Sequence, residues 1–172
     1  MAAGEERARL LGARLKGRKF EAVYSSTLTR AIQTAVLAGY PPTETTPLLV
    51  EVDYGRYDGV TTRQIRETDP KWDLWRDGCP GGETIPHVLR RARAFLDLAL
   101  HHEGDVIAFS HGHFLRAVTC VFLELPIEAA NRLSLDTAAL SVLHRGDRGP
   151  QLELWNDTGH LPNHVPGAGS DH

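Results

Sequence analysis

Cysteine is scarce. The 172 residues hold two, Cys79 and Cys120, far apart and in no Cys-x-x-Cys pair. A disulfide framework or a cysteine-built zinc site needs more thiols than that, so free thiols in a reducing cytosol are the expectation. No long block of like charge exists. Nineteen Lys plus Arg stand against 22 Asp plus Glu, a formal net charge of −3, which disfavours a dedicated nucleic-acid or membrane-surface binder. No apolar run approaches the ~20 residues of a membrane-spanning helix. No charged start leads into an apolar stretch, so no signal peptide is expected. His-Glu-x-x-His, Gly-x-Ser-x-Gly, the P-loop and the Gly-x-Gly-x-x-Gly fingerprint are all missing. Zinc-protease, serine-hydrolase, P-loop and Rossmann readings therefore lack their signatures.

What is present is ordinary for a folded chain: 41% apolar and 24% charged residues, at a length that suits one domain. Apolar spacing predicts a helix over Ala3 to Lys16 and a strand over Phe20 to Tyr24. A second helix, capped by Ser25 and Ser26, is expected to run to about Ala38. Leu48 to Val52 reads as a strand and Asp53 to Gly59 as a loop. Thr61 with Gln64 forms a capping-box signature. Pro70 to Gly82 is irregular, with Trp72 and Trp75 expected to pack a lid or flap. The longest helix opens at Glu83 or Thr84 and runs to about His101, with Val88, Ala92, Phe95 or Leu96, and Ala99 as its apolar stripe. Asp105 to Phe109 reads as a buried strand, Gly112 to Phe122 as a helix, and Pro126 to Arg132 as a short helix. Ala138 to Leu143 and Leu152 to Trp155 are the last strands. The Gly/Pro/His-rich tail, 162–172, is expected to be loose.

Strands alternate with helices through the first two-thirds, which predicts an α/β three-layer sandwich with a mostly parallel sheet. Ligands of such sheets sit beyond the carboxyl ends of the strands. Three polar clusters fall there. In Tyr24 to Thr34, Arg30 lies in the first turn of a helix, where free N–H groups and a guanidinium fork suit phosphate or carboxylate; a surface arginine on a capped helix is the plainer alternative. In Leu48 to Gly59, Glu51 could serve as general acid or base, or be a solvated strand-end acid. In Asp105 to Val118, an apolar strand delivers His111 into a glycine turn and a helix start. Such a ring can donate to a phosphate oxygen, act as a base or bind metal, or be structural. His111 and His113 could share a metal, although no third ligand sits at a diagnostic spacing.

Taken together and in order, six segments resemble the histidine phosphatase (phosphoglycerate mutase-like) superfamily, in the style of its short acid phosphatases. They are GEERARLLGARL, YSSTLTRAIQTA, EVDYGRYDG, PGGET, FSHGHFLRAV and WNDTGHL, and they span the chain to near Leu161. The resemblance implies a phosphoglycerate mutase-like domain over 1–161 and a phosphomonoesterase that works through a phosphohistidine. His111 would bond the phosphoryl oxygens and Arg30 would neutralise them. Glu51 would protonate the leaving alkoxide and then activate water, and Tyr54 would touch substrate. A small phosphomonoester is the expected ligand. No metal, cofactor, nucleic acid or membrane is expected, and a cytoplasmic location is the expectation. The short chain favours phosphatase over mutase; a non-catalytic binder of phospholigands is the alternative.

The same resemblance implies an Arg-His-Gly nucleophile at the end of a first strand, and no Arg-His-Gly occurs in the sequence. The first strand, the nucleophile and one pocket arginine are therefore expected to be missing. The open sheet edge this leaves makes a homodimer an expectation.

Overall fold

The computed structural model describes residues 2–162. The expected loose tail lies outside them except for its first residue, Pro162. The central sheet is parallel and three-stranded: β1 (Ala22–Ser26) lies between β2 (Glu44–Thr46) and β3 (Val106–Phe109). Register pairs Ala22 with Val106, Ser25 with Phe109 and Ser26 with Thr46. Because the strands are parallel, their carboxyl ends share one edge of the sheet.

Side-chain alternation along β1 builds the layers. Ala22 and Tyr24 enter the larger core with Val88, Phe95, Phe114 and Val118. Val23 points the other way, into a second core with Leu11, Leu15, Ala31, Ala35 and Phe109. The helices follow from this. α1 (Ala2–Leu15) and α2 (Thr29–Leu37) cover one face. α5 (Ile85–Leu100) and α6 (Gly112–Phe122) cover the other, after the short α3 (Thr62–Thr68) and α4 (Leu74–Asp77). The three-layer α/β expectation thus holds. The last two strands, β4 (Leu140–Gly146) and β5 (Gly149–Asp157), form a separate antiparallel hairpin. Leu140 packs on the second core and Leu143 on the first, so the hairpin meets both cores, as β3 does.

Three local expectations need correction. Ser25 and Ser26 do not cap a helix; both are fully buried in β1, and α2 starts from Leu28. The Ser26 hydroxyl instead accepts from the Leu28 N–H, turning the chain from strand to helix. Leu48 to Val52 is no strand: Pro47 opens a 3-10 turn over Pro47–Leu49, with the Thr46 hydroxyl capping the Leu48 N–H. Trp72 and Trp75 are no flap. Both are buried in the main core, and the Trp72 indole donates to the Gly78 carbonyl. The Thr61–Gln64 capping box is present as expected.

Candidate active site

The parallel register brings Ser26, at the end of β1, beside His111, which follows β3. The His111 ring is held from both sides. Arg30 Nε–H donates to Nδ1 at 3.1 Å, and Nε2 lies 2.9 Å from the Ser26 hydroxyl. A guanidinium nitrogen can only donate, so Nδ1 carries the lone pair and the proton sits on Nε2, aimed at Ser26. Arg30 is the second residue of α2, at the positive end of the helix. Its side chain is exposed, and among the described residues its two terminal nitrogens have no protein partner. Strand end, helix start and guanidinium therefore offer donors from two successive elements, β1 and α2, to one anion.

Burial, and then the nearby charges of Arg30 and Arg91, push the His111 imidazole from 6.5 down to about 4. The unfolded chain binds a proton near pH 6.5 that the folded ring refuses until about pH 4. The folded state must therefore lose stability as pH falls through that window, with no further loss from this residue below it. Thermal midpoints recorded from pH 7 to 4 should show the decline, and His111→Asn should flatten it.

Glu51 reaches the same place from the third cluster. Its Oε1 accepts the Phe114 N–H at 2.9 Å and its own neighbour's Val52 N–H at 3.0 Å; its Oε2 accepts the His113 N–H at 3.3 Å. The carboxylate thus satisfies the first turn of α6, whose N-cap is His111. Imidazole and carboxylate are consequently fixed to one helix end.

Tyr54 closes the group. Its hydroxyl lies 2.6 Å from His113 Nδ1, and that ring also packs against Trp75. Burial, the Glu51 charge and a hydrogen bond to Glu51 raise the Tyr54 phenol, with Arg116 opposing them, so the hydroxyl stays protonated. The turn that carries Tyr54 packs backbone to backbone on Pro80–Gly82. A side chain at Gly55 would run into Gly82, and one at Gly82 would run into Asp53. Gly82→Ala should therefore cost roughly 1–3 kcal/mol through overpacking. It should also break the Tyr54–His113 bond, checked by the thermal midpoint and by the His113 ring resonances.

The structure brings together all four residues singled out from the sequence: His111, Arg30, Glu51 and Tyr54. Sequence reasoning missed Ser26 as a partner of His111, and it missed Arg91 and Glu83. Arg91 carried a readable signal, since a charged residue sat at helical spacing inside an apolar stripe, between Val88 and Phe95. It and Glu83 form a bidentate pair, 2.8 and 2.9 Å, in which both side chains are buried.

Comparison with known proteins adds the following. The family model of the histidine phosphatase superfamily (branch 1) matches residues 1–158. An acid phosphatase of Mycobacterium tuberculosis is 42% identical over 140 residues, covering 80% of this chain and 69% of that protein. Phosphoserine phosphatase 1 of Hydrogenobacter thermophilus is 27% identical over 169 residues, 92% of this chain and 80% of the relative. Among solved structures, the product of a Mycobacterium tuberculosis open reading frame superposes with a TM-score of 0.89 at 39% identity, covering 93% of this chain and 85% of that one. A mycobacterial glucosyl-3-phosphoglycerate phosphatase with inorganic phosphate gives 0.79 at 24% identity, covering 94% and 88%, and shares the fold.

Proposed function

This chain belongs to the histidine phosphatase superfamily, and we propose that His111, Arg30 and Glu51 are the pocket through which it handles phosphomonoesters. The carrying observation is the Arg30–His111–Ser26 chain of hydrogen bonds, with Glu51 anchored on the helix that His111 caps.

The phosphoryl group lies against the Arg30 terminal nitrogens and the His111 Nε2–H, which exchanges the Ser26 hydroxyl for a phosphoryl oxygen. These donors meet the negative charge that spreads over the equatorial oxygens in the transition state. A nucleophilic histidine attacks phosphorus in line while the alkoxide leaves. Glu51 gives that alkoxide its proton, then takes one from the water that hydrolyses the phosphohistidine. The nucleophile itself is not assigned to any of the nine histidines, because none stands in an Arg-His-Gly. That observation favours one second reading, a non-catalytic binder that keeps the phosphate pocket. Tyr54 is a wall of the pocket, its hydroxyl engaged with His113.

The ligand is a small phosphomonoester. The mechanism asks for no metal, since Arg30 supplies the positive charge and the neutral His111 ring a hydrogen bond, so a chelator should leave phosphate binding unchanged. No described helix is long and apolar enough to cross a membrane. A cytoplasmic location rests on the two unpaired, buried cysteines, and pairing of an open sheet edge would make a homodimer. Residues 1–161 are taken as the domain. Calorimetric titration with inorganic phosphate and with vanadate tests the pocket: saturable one-to-one binding is expected, and its absence in the folded protein would remove the reading.

A further inference from the structure

We propose that Arg91 is a positioning residue for this pocket: its guanidinium fork holds the carbonyls before Glu51 and so sets where that carboxylate meets the first turn of α6. The inference rests on Glu51 being part of the pocket described above.

The segment ending at Glu51 is not a strand, so its carbonyls have no ladder to join. Arg91 takes their place. Its Nη1 donates to the Leu48 carbonyl at 2.7 Å and the Val50 carbonyl at 2.8 Å, and its Nη2 approaches the Glu51 carbonyl at 3.5 Å. Its remaining donors are fixed by Glu83, Nε to Oε1 and Nη2 to Oε2. The guanidinium lies 4.1 Å over the Phe114 ring, and the Phe114 N–H is one that Glu51 accepts. Arg91 thus touches both partners of the Glu51–α6 contact.

Glu83 is itself pinned. Its N–H donates to the Asp53 carbonyl at 2.9 Å, and its Oε1 lies 2.7 Å from His87 Nδ1. Burial works against its charge, yet Arg91 and His87 outweigh burial and hold the carboxyl below its usual value. A buried charge without its partner is strongly unfavourable, so the two stay together. The fork, more than the charge, does the positioning. Lysine at this place keeps one positive charge but cannot serve three carbonyls and a bidentate carboxylate at once.

The test compares Arg91→Lys with the parent chain by amide hydrogen exchange and by phosphate calorimetry. The His113 and Phe114 amides, which donate to Glu51, are expected to exchange about tenfold faster or more. Amides in the middle of α5 and late in α6 should hold their protection, and phosphate affinity should fall by about tenfold. A uniform rise in exchange along both helices, with unchanged phosphate affinity, would show a purely structural residue and overturn the proposal. Should the lysine variant fail to fold, Glu83→Gln loosens the same fork while leaving Arg91 in place. It must then show the same local pattern at smaller amplitude, and an unchanged pattern there overturns the proposal equally. A parent chain that binds no phosphate would defeat the pocket reading alone, because the exchange pattern still decides what Arg91 does to Glu51.

Discussion

Phosphate affinity is expected to fall between about tenfold and a hundredfold in His111→Ala, the range that a lost hydrogen bond to a charged group predicts. Two losses combine. The Nε2–H that would meet a phosphoryl oxygen disappears, and so does the acceptor that orients Arg30 through its Nε. An exposed arginine without that tether spreads over its rotamers, and ordering it again costs side-chain entropy on binding. The two residues should therefore behave as one unit. Arg30→Ala should cost a similar amount, and the double variant should cost much less than the sum. His111→Asn keeps a short polar group and should lie between. Full phosphate affinity in folded His111→Ala would leave the Arg30–His111 contact a structural one, and the pocket would have to be sought elsewhere.

The second large effect concerns turnover. The superfamily chemistry transfers the phosphoryl group to a histidine, and this sequence contains no Arg-His-Gly to provide one. His111 is a poor substitute. Its Nδ1 lone pair is taken by the Arg30 N–H and its Nε2 carries a proton, so neither nitrogen is a ready nucleophile. The 172-residue chain is thus expected to bind phosphate while hydrolysing an aryl phosphate at well under about 1 s⁻¹, below the usual enzyme range. Steady-state assay of the purified chain reads this directly, and acid-stable or base-stable phosphoenzyme can be sought in parallel. Rapid hydrolysis, with phosphate trapped on one of the nine histidines, would identify another nucleophile and a different arrangement of the reaction.

Much of the fold was legible because local and global signals agreed. The apolar run before Ser110 and the glycine after His111 marked β3 and α6, and α6 spans Gly112–Phe122 as its pattern predicted. Thr61 and Gln64 announced a capping box and formed one. Legibility failed where side chains replaced expected backbone partners. Leu48 to Val52 has the composition of a strand, but Pro47 ends the pairing, and a guanidinium 43 residues from Leu48 accepts the role of the neighbouring strand. No window of local sequence contains that information. Ser25 and Ser26 resemble helix caps, yet the register with Phe109 and Thr46 draws both into the sheet. The tryptophans of the irregular stretch were expected to pack a lid or flap; Trp75 on α4 and Trp72 just before it both lie in the main core. The four candidate residues stood out in the sequence because each lies at or beside an element boundary, where the chain exchanges backbone partners for side-chain ones.

The attachment of Glu51 to the first amides of α6 also has a mechanical side. His111 begins that helix and Glu51 is clipped to it, so a tilt or slide of the rod carries both groups as one piece, their separation unchanged. Arg30 rides on a different rod, across the β1–β3 seam. Breathing of the molecule therefore opens or narrows the mouth where the imidazole meets Arg30 and Ser26 across that seam, while the spacing between imidazole and carboxylate travels intact.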